Sequence, residues 1–211
     1  ARYILNAEAG HSGHTCLPYG ELLRCTEELL FGGESEYSER VKDVIDDAVA
    51  RLELVPVRRG GNTYVFTQAM YRAETYVAKK LKSINRLCPK IDSRDSVLLI
   101  DKCESQSGIK YALTQKQALH SALSEGVMIL TGGPGTGKTT IIKGLISIFT
   151  SLDYQIALCA PTGRAAKRMS EATSHEAKTI HRLLEMDYAD DDGSKFIRNE
   201  SNTLDADVVI V

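Results

Sequence analysis

No apolar run in these 211 residues approaches the roughly 18 that a membrane-spanning helix needs. The longest are Val97-Leu98-Leu99-Ile100 and Val208-Val209-Ile210-Val211. The opening residues, Ala1-Arg2-Tyr3-Ile4-Leu5-Asn6, lack the basic and then apolar pattern of a secretory signal. Neither sign of charge dominates. The 26 Lys and Arg against 28 Asp and Glu leave a net charge of −2, so the chain has no general polyanion-binding character and any nucleic-acid contact must be local. No two of the five cysteines, Cys16, Cys25, Cys88, Cys103 and Cys159, have C-x-x-C spacing. An odd set without pairing suggests reduced thiols and a cytoplasmic protein. His11, His14 and Cys16 lie close in sequence, but a structural zinc wants four ligands and no fourth is evident, so a polar loop is the simpler reading. Internal repeats and low-complexity tracts are also lacking. What is present, 43% hydrophobic and 26% charged residues, is the composition of a folded globular chain of one to two domains. The chain lacks a starting Met and stops within an apolar run, which leads us to expect a piece of a longer protein.

Residues 1–10 read as the end of a helix stopped by Gly10 and Gly13. A second helix is expected from Pro18, with Leu22, Leu23, Leu29 and Leu30 as its apolar face and Gly32-Gly33 as its end. A third follows Ser38 as cap, with Val41, Val44, Ile45, Ala48, Val49 and Leu52 at helical spacing and Asp43, Asp46 and Asp47 on a solvated face. Leu54-Val55-Pro56-Val57 and Tyr64-Val65-Phe66 flank Arg58-Arg59-Gly60-Gly61-Asn62, a hairpin signal. Helices followed by such a hairpin suggest a winged-helix-like domain. Its tip arginines could touch phosphates, although exposed turns are commonly charged. A long helix with the stripe Ala69, Ala73, Tyr76, Val77, Leu81, Ile84 and Leu87 ends at Pro89. Residues 89–108 read as a linker around a strand at 97–100.

From residue 109 the pattern alternates. Strands are expected at 127–130, 156–159 and 208–211, and helices after 138, at 163–172 and at 176–186, with a solvated turn at Asp190-Asp191-Asp192-Gly193. Alternating strands and helices imply an α/β fold with a parallel sheet. Between the first of these strands and its helix lies Gly132-Gly133-Pro134-Gly135-Thr136-Gly137-Lys138-Thr139, which fits G-x-x-x-x-G-K-[ST] in its required context. Glycines let backbone N–H groups curl around phosphate oxygens, and the helix N-terminus adds unpaired donors. Lys138 can reach the β- and γ-phosphates, and the Thr139 hydroxyl can ligate Mg²⁺. Upstream, Gln117 carries a carboxamide that can pair with adenine, or simply meet solvent. Downstream, the segment 161–182 holds Arg164, Lys167, Arg168, Lys178 and Arg182 against Glu171 and Glu176, a local excess of +3. Thr162 and the amides after Pro161 could hold a nucleic-acid phosphate. The alternative is a helix with a charged outer face.

Several stretches together carry a family resemblance. They are Leu113-Thr114-Gln115-Lys116-Gln117, Leu130 through Thr140, Ala160-Pro161-Thr162-Gly163-Arg164-Ala165-Ala166-Lys167-Arg168-Met169, Thr179-Ile180-His181-Arg182-Leu183-Leu184, and Leu204 through Val211. The chain resembles the bacterial RecD-like DNA helicases of superfamily 1, in their long form with an N-terminal extension. The resemblance implies a P-loop NTPase (RecA-like) parallel sheet over 109–211, incomplete at its C-terminus. Before it would come the end of a helix-hairpin-helix region at 1–13, a winged-helix-like accessory domain at 14–88 and a linker at 89–108. It implies ATP and Mg²⁺ as cofactors, and single-stranded DNA, or duplex DNA with a single-stranded tail, as substrate for 5′→3′ translocation and unwinding in repair or recombination. By position, Gln117 would read adenine. Gly133, Pro134, Gly135, Thr136, Gly137, Lys138, Thr139 and Thr140 would hold the triphosphate. Pro161, Thr162, Gly163, Arg164, Lys167, Thr179 and His181 would contact DNA.

In this family an Asp-Glu pair that binds Mg²⁺ and orients water follows the strand matching 208–211. Asp207 cannot replace it, because it precedes the strand. The chain alone is therefore expected to be catalytically incomplete. Three rival readings remain open: the helicase part of a conjugative relaxase, a phosphate-loop kinase of small molecules, and a non-enzymatic DNA-binding module built on 14–68.

Overall fold

The computed structural model describes residues 1–32, 37–187 and 195–211. Gly33 and the expected turn at 190–193 lie outside the described residues. The chain divides into two compact units, Ala1–Ser83 and Ile84–Val211.

In the first unit the order is α1 (Arg2–His11), β1 (Cys16–Pro18), α2 (Tyr19–Phe31), α3 (Ser38–Ala50), β2 (Leu54–Arg59) and β3 (Asn62–Thr67). The three strands form an antiparallel sheet in the order β1-β3-β2. Cys16 pairs with Phe66 and Leu54 with Thr67. The short β1 was not legible in the sequence. Its three residues carry no alternation of their own, and it exists because β3 offers it an edge. Ile4, Leu5, Leu17, Leu22, Val41, Ile45, Leu54 and Val65 close the core. The α3 stripe is narrower than its spacing suggests, since Val41 and Ile45 are buried while Val44 faces solvent. Ser38 is the first helical residue and not the cap, a place taken by Tyr37. Gly32, at φ +63, ends α2 in the left-handed conformation that glycine favours.

A long helix, α4 (Gln68–Leu87), runs across the division between the units. Its apolar stripe was expected to pack. None of its residues is buried, and Tyr76, Val77, Leu81, Ile84 and Leu87 are exposed.

The second unit contains α5 (Ser93–Ser107), α6 (Leu113–Ser124), α7 (Lys138–Ser151), β4 (Ile156–Ala160), α8 (Gly163–Thr173), β5 (Ala177–Thr179), α9 (Ile180–Leu183), β6 (Met186–Asp187), β7 (Lys195–Phe196) and β8 (Val208–Ile210). The strands β5, β4 and β8 form a parallel sheet with β4 in the centre. Helices α5, α6 and α7 supply its core through Ile100, Cys103, Leu119, Leu123, Ile141, Leu145, Ile148 and Phe149, joined by Tyr111.

Three expectations are corrected here. Val97-Leu98-Leu99-Ile100 lies inside α5, whose start is fixed by the Asp92 side chain accepting from the Arg94 N–H at 2.6 Å. A four-residue apolar run has no period of its own, and the cap decides. Residues 127–130 alternate as a strand would, with Met128 and Leu130 against the core and Ile129 exposed, but no backbone hydrogen bond joins them to a sheet edge among the described residues. The expected helix at 176–186 begins as β5, because Ala177 to Thr179 pair with Leu158 to Ala160. Only one helical turn, α9, follows.

Candidate functional site

The loop from Gly132 to Gly137 leads directly into α7. Gly135 stands at φ +73, and Gly137, the residue before the helix, at φ +86. Both values lie where a β-carbon is strained. Gly137 has a second reason to be glycine, since a β-carbon there would collide with the side-chain amide of Gln115. Gln115 is in turn fixed at the start of α6, where its Oε1 accepts from the Ala112 N–H at 3.0 Å. One side chain thus caps α6 and shields the phosphate loop. Gln115 lies within the Leu113–Gln117 stretch, but the resemblance gives it no role; its place in the first turn of α6 does.

Lys138 folds back over the loop. Its Nζ donates to the carbonyl oxygens of Gly132 (2.6 Å) and Gly133 (2.7 Å), and the Thr136 hydroxyl donates to the Gly133 carbonyl at 2.9 Å. An ammonium has three N–H donors, so one remains for an anion. The first intrahelical bond of α7 runs from the Ile141 N–H to the Gly137 carbonyl. The amides of Lys138, Thr139 and Thr140 therefore have no helical partner. Gly132 through Thr136 and Thr139 are exposed. An open curl of amides, one spare ammonium proton and an exposed hydroxyl fit a polyphosphate, with Thr139 as the protein's oxygen for Mg²⁺.

Gln117 follows Gln115 by two residues, about 200° around α6. It does not reach the loop. It lines a cavity of about 330 Å³ with Val97, Ile100, Asp101, Lys116, His120 and Ser121.

A buried carboxylate ties this region together. Glu104 is only 3% exposed. It accepts from the Tyr111 N–H (2.7 Å), from Lys116 Nζ (2.9 Å) and from Lys110 Nζ (3.3 Å). The Lys116 hydrogen bond, then that of the Tyr111 amide, holds its pKa at about 2, below the ordinary 4.5. Its folded pKa is depressed, so its stabilisation is complete above about 4.5 and is lost as pH falls toward about 2. Thermal unfolding should show this as a midpoint that drops through that window. Glu104→Gln should lower the midpoint at pH 7 and flatten the drop, and an unchanged acid limb would remove Glu104 from its cause. The Tyr111 side chain packs where α7 has Gly144. A β-carbon there would stand 2.5 Å from the Tyr111 hydroxyl and 3.1 Å from its ring.

The other candidate residues gather at the carboxyl end of the sheet. Ala160, the last residue of β4, pairs with Thr179, the last of β5. Thr162 caps α8 by accepting from the Ala165 N–H at 3.3 Å, and Thr179 caps α9 by accepting from the Arg182 N–H at 3.2 Å. Each such cap stabilises its helix by about 1 kcal/mol. Each hydroxyl keeps its own proton for another acceptor. Pro161, Thr162, Gly163, Arg164, Lys167, Arg168, His181 and Arg182 are exposed, and Lys178 is half-buried. Lys167 stands 4.0 Å from Glu171 with both side chains in solvent, a weak pair. A turn at 152–155 folds β4 back along α7, so the loop end of α7 and the Ala160 end of β4 share one edge of the sheet. Asp207 sits at the other end, where its carboxylate accepts from the Gln155 N–H at 2.8 Å and holds β8 in register with β4.

Comparison with known proteins places this geometry in context. A family model described as an AAA domain matches residues 115–211. The chain is 32% identical over 124 residues to the ATP-dependent RecD2 DNA helicase of Deinococcus radiodurans, covering 59% of this chain and 17% of that protein. It is 38% identical over 120 residues to the RecBCD enzyme subunit RecD of Mycolicibacterium smegmatis, covering 46% of this chain and 21% of the relative. With the RecBCD enzyme subunit RecD of Haemophilus influenzae it shares 32% identity over 168 residues, 68% of this chain and 25% of the other. The chain thus spans a quarter or less of the length of these relatives.

Proposed function

We propose, from the premise that this chain is a RecD-like helicase sequence, that it forms the entry part of an ATP-driven motor that translocates 5′→3′ on single-stranded DNA and unwinds duplex DNA in repair or recombination. One observation carries the reading: the phosphate loop with Lys138 shares a sheet edge with the capped strand ends at Thr162 and Thr179 and the cations beside them. A nucleotide and a DNA backbone bound at one edge are what coupling of hydrolysis to stepping requires.

In this reading ATP with Mg²⁺ supplies the transferable phosphoryl group when bound. The chain's own residues do the rest. The amides from Gly133 to Thr140 orient the phosphates, and Lys138 offsets their charge. Thr139 supplies an oxygen to the ion. Gln117 meets the base in the cavity beside α6, whose Val97 and Ile100 wall suits an aromatic ring. Pro161, Thr162, Gly163, Arg164, Lys167, Thr179 and His181 follow the DNA backbone. Turnover needs the acidic pair and the second motor domain that the family pattern places further along, so residues 1–211 alone bind without turning over. Residues 14–88 are read as a winged-helix-like accessory domain, a reading supported by α2 and α3 ahead of the antiparallel β2–β3 hairpin, with 1–13 as the end of a helix-hairpin-helix region. We place the protein in the cytoplasm.

The test is strand separation by the full-length protein on duplexes carrying either a 5′ or a 3′ tail. Unwinding should require ATP and a 5′ tail. Equal unwinding from a 3′ tail would overturn the polarity, and ATP-independent behaviour would overturn the motor.

A further inference from the structure

The first unit carries a feature that the motor does not use. Between residues 14 and 67 the sequence holds ten acidic and six basic residues. Two of the six cations are spent in ion pairs, and two more lie among the acidic residues of one helix. Arg24 pairs with Glu28 at 3.4 Å and Arg51 with Asp47 at 2.8 Å. Arg40 and Lys42 share α3 with Glu39, Asp43, Asp46 and Asp47. The remaining two, Arg58 and Arg59, are exposed, and neither side chain has an ion pair or hydrogen bond among the described residues.

They stand at the tip of the β2–β3 hairpin. Arg59 pairs with Asn62 across a two-residue turn, and Gly60 and Gly61 lie at φ +58 and +82. Two positive φ values give the tight turn that continues the strands' own twist, so the tip is narrow and stiff. Side chains alternate along a strand, so Arg58 and Arg59 leave opposite faces of the tip. In units of helices and a hairpin, the usual reader of a major groove is a helix. Here α3 is acidic, and phosphates repel it.

We infer that this hairpin tip is a second DNA contact, in which Arg58 and Arg59 straddle the backbone of duplex DNA while the acidic helices face away. The inference rests on the motor reading only for the choice of DNA as the polyanion. It deepens that reading by assigning the duplex, and not the translocating strand, to the first unit.

The test uses the 211-residue chain without nucleotide. Binding to a blunt 20-base-pair duplex and to a single strand of equal length is measured across salt. Arg58→Ala with Arg59→Ala should weaken duplex binding about tenfold. It should also make the slope of log affinity against log salt shallower by about 2, one released counterion per lost phosphate contact. Single-strand binding should hold. Arg58→Lys with Arg59→Lys should keep most of the duplex affinity, because a phosphate reads charge. Unchanged duplex binding in the alanine pair, absence of duplex binding in the parent chain, or equal losses on both forms of DNA would each overturn the inference. If the full-length protein hydrolyses no ATP while the 211-residue chain shows the hairpin-dependent duplex binding, the motor is overturned and this contact stands.

Discussion

Replacing Lys138 with alanine should reduce ATP turnover by the full-length protein about 100-fold or more, with loss of unwinding and with single-stranded DNA binding intact. The size follows from what the ammonium does. Removing one preorganised donor aimed at developing charge costs about 100- to 1000-fold in rate, and Lys138 brings a full positive charge as well as a donor. It also closes the loop on itself by bonding the carbonyls of Gly132 and Gly133. Its loss therefore removes a phosphate partner and loosens the curl that presents the amides. DNA binding should survive, because the cations between Arg164 and Arg182 belong to α8, β5 and α9. Steady-state ATP hydrolysis and fluorescence anisotropy on one preparation separate the two effects. Normal turnover in the variant would end the phosphate-loop assignment.

The second large effect is one of salt. If about four of the cations between Arg164 and Arg182 meet phosphates, the slope of log affinity against log salt for single-stranded DNA is about −3. Affinity should then fall about 50-fold between 50 and 200 mM salt. The chain as a whole carries a charge of −2, so this dependence cannot come from a general attraction and must be local. Arg164→Ala with Lys167→Ala should make the slope shallower by about 1.4, since each lost contact on a single strand removes about 0.7. A flat salt profile in the parent chain would show that DNA does not run along these residues.

How far the sequence could be read depended on whether a residue's role was local. The phosphate loop was legible because its glycines, lysine and threonine act within eight consecutive positions. The edge shared by Thr162 and Thr179 was partly legible, since strand ends predict a ligand edge. Its register, Ala160 against Thr179, was not, because β5 is three residues long and is defined only by its neighbour β4. The same cause hid β1. Val97 to Ile100 misled because an apolar run of four suits a strand or a helix equally, and Asp92 settles it from five residues upstream. Gln117 drew attention through the motif, while Gln115 meets the loop. Seeing that difference requires the turn of α6 and the place of Gly137 together.

The position of Gln115 has a consequence for how this protein can vary over time. Its amide serves a helix start with one atom and covers a backbone carbon with another, so Gln115 and Gly137 are not independent letters. A shorter residue at 115 would clear the space beside position 137 but leave Ala112 without its partner, and the φ of +86 would still strain any side chain at 137. Gly137 is thus held twice, by its backbone and by its neighbour, and a change at 115 alone should not release it.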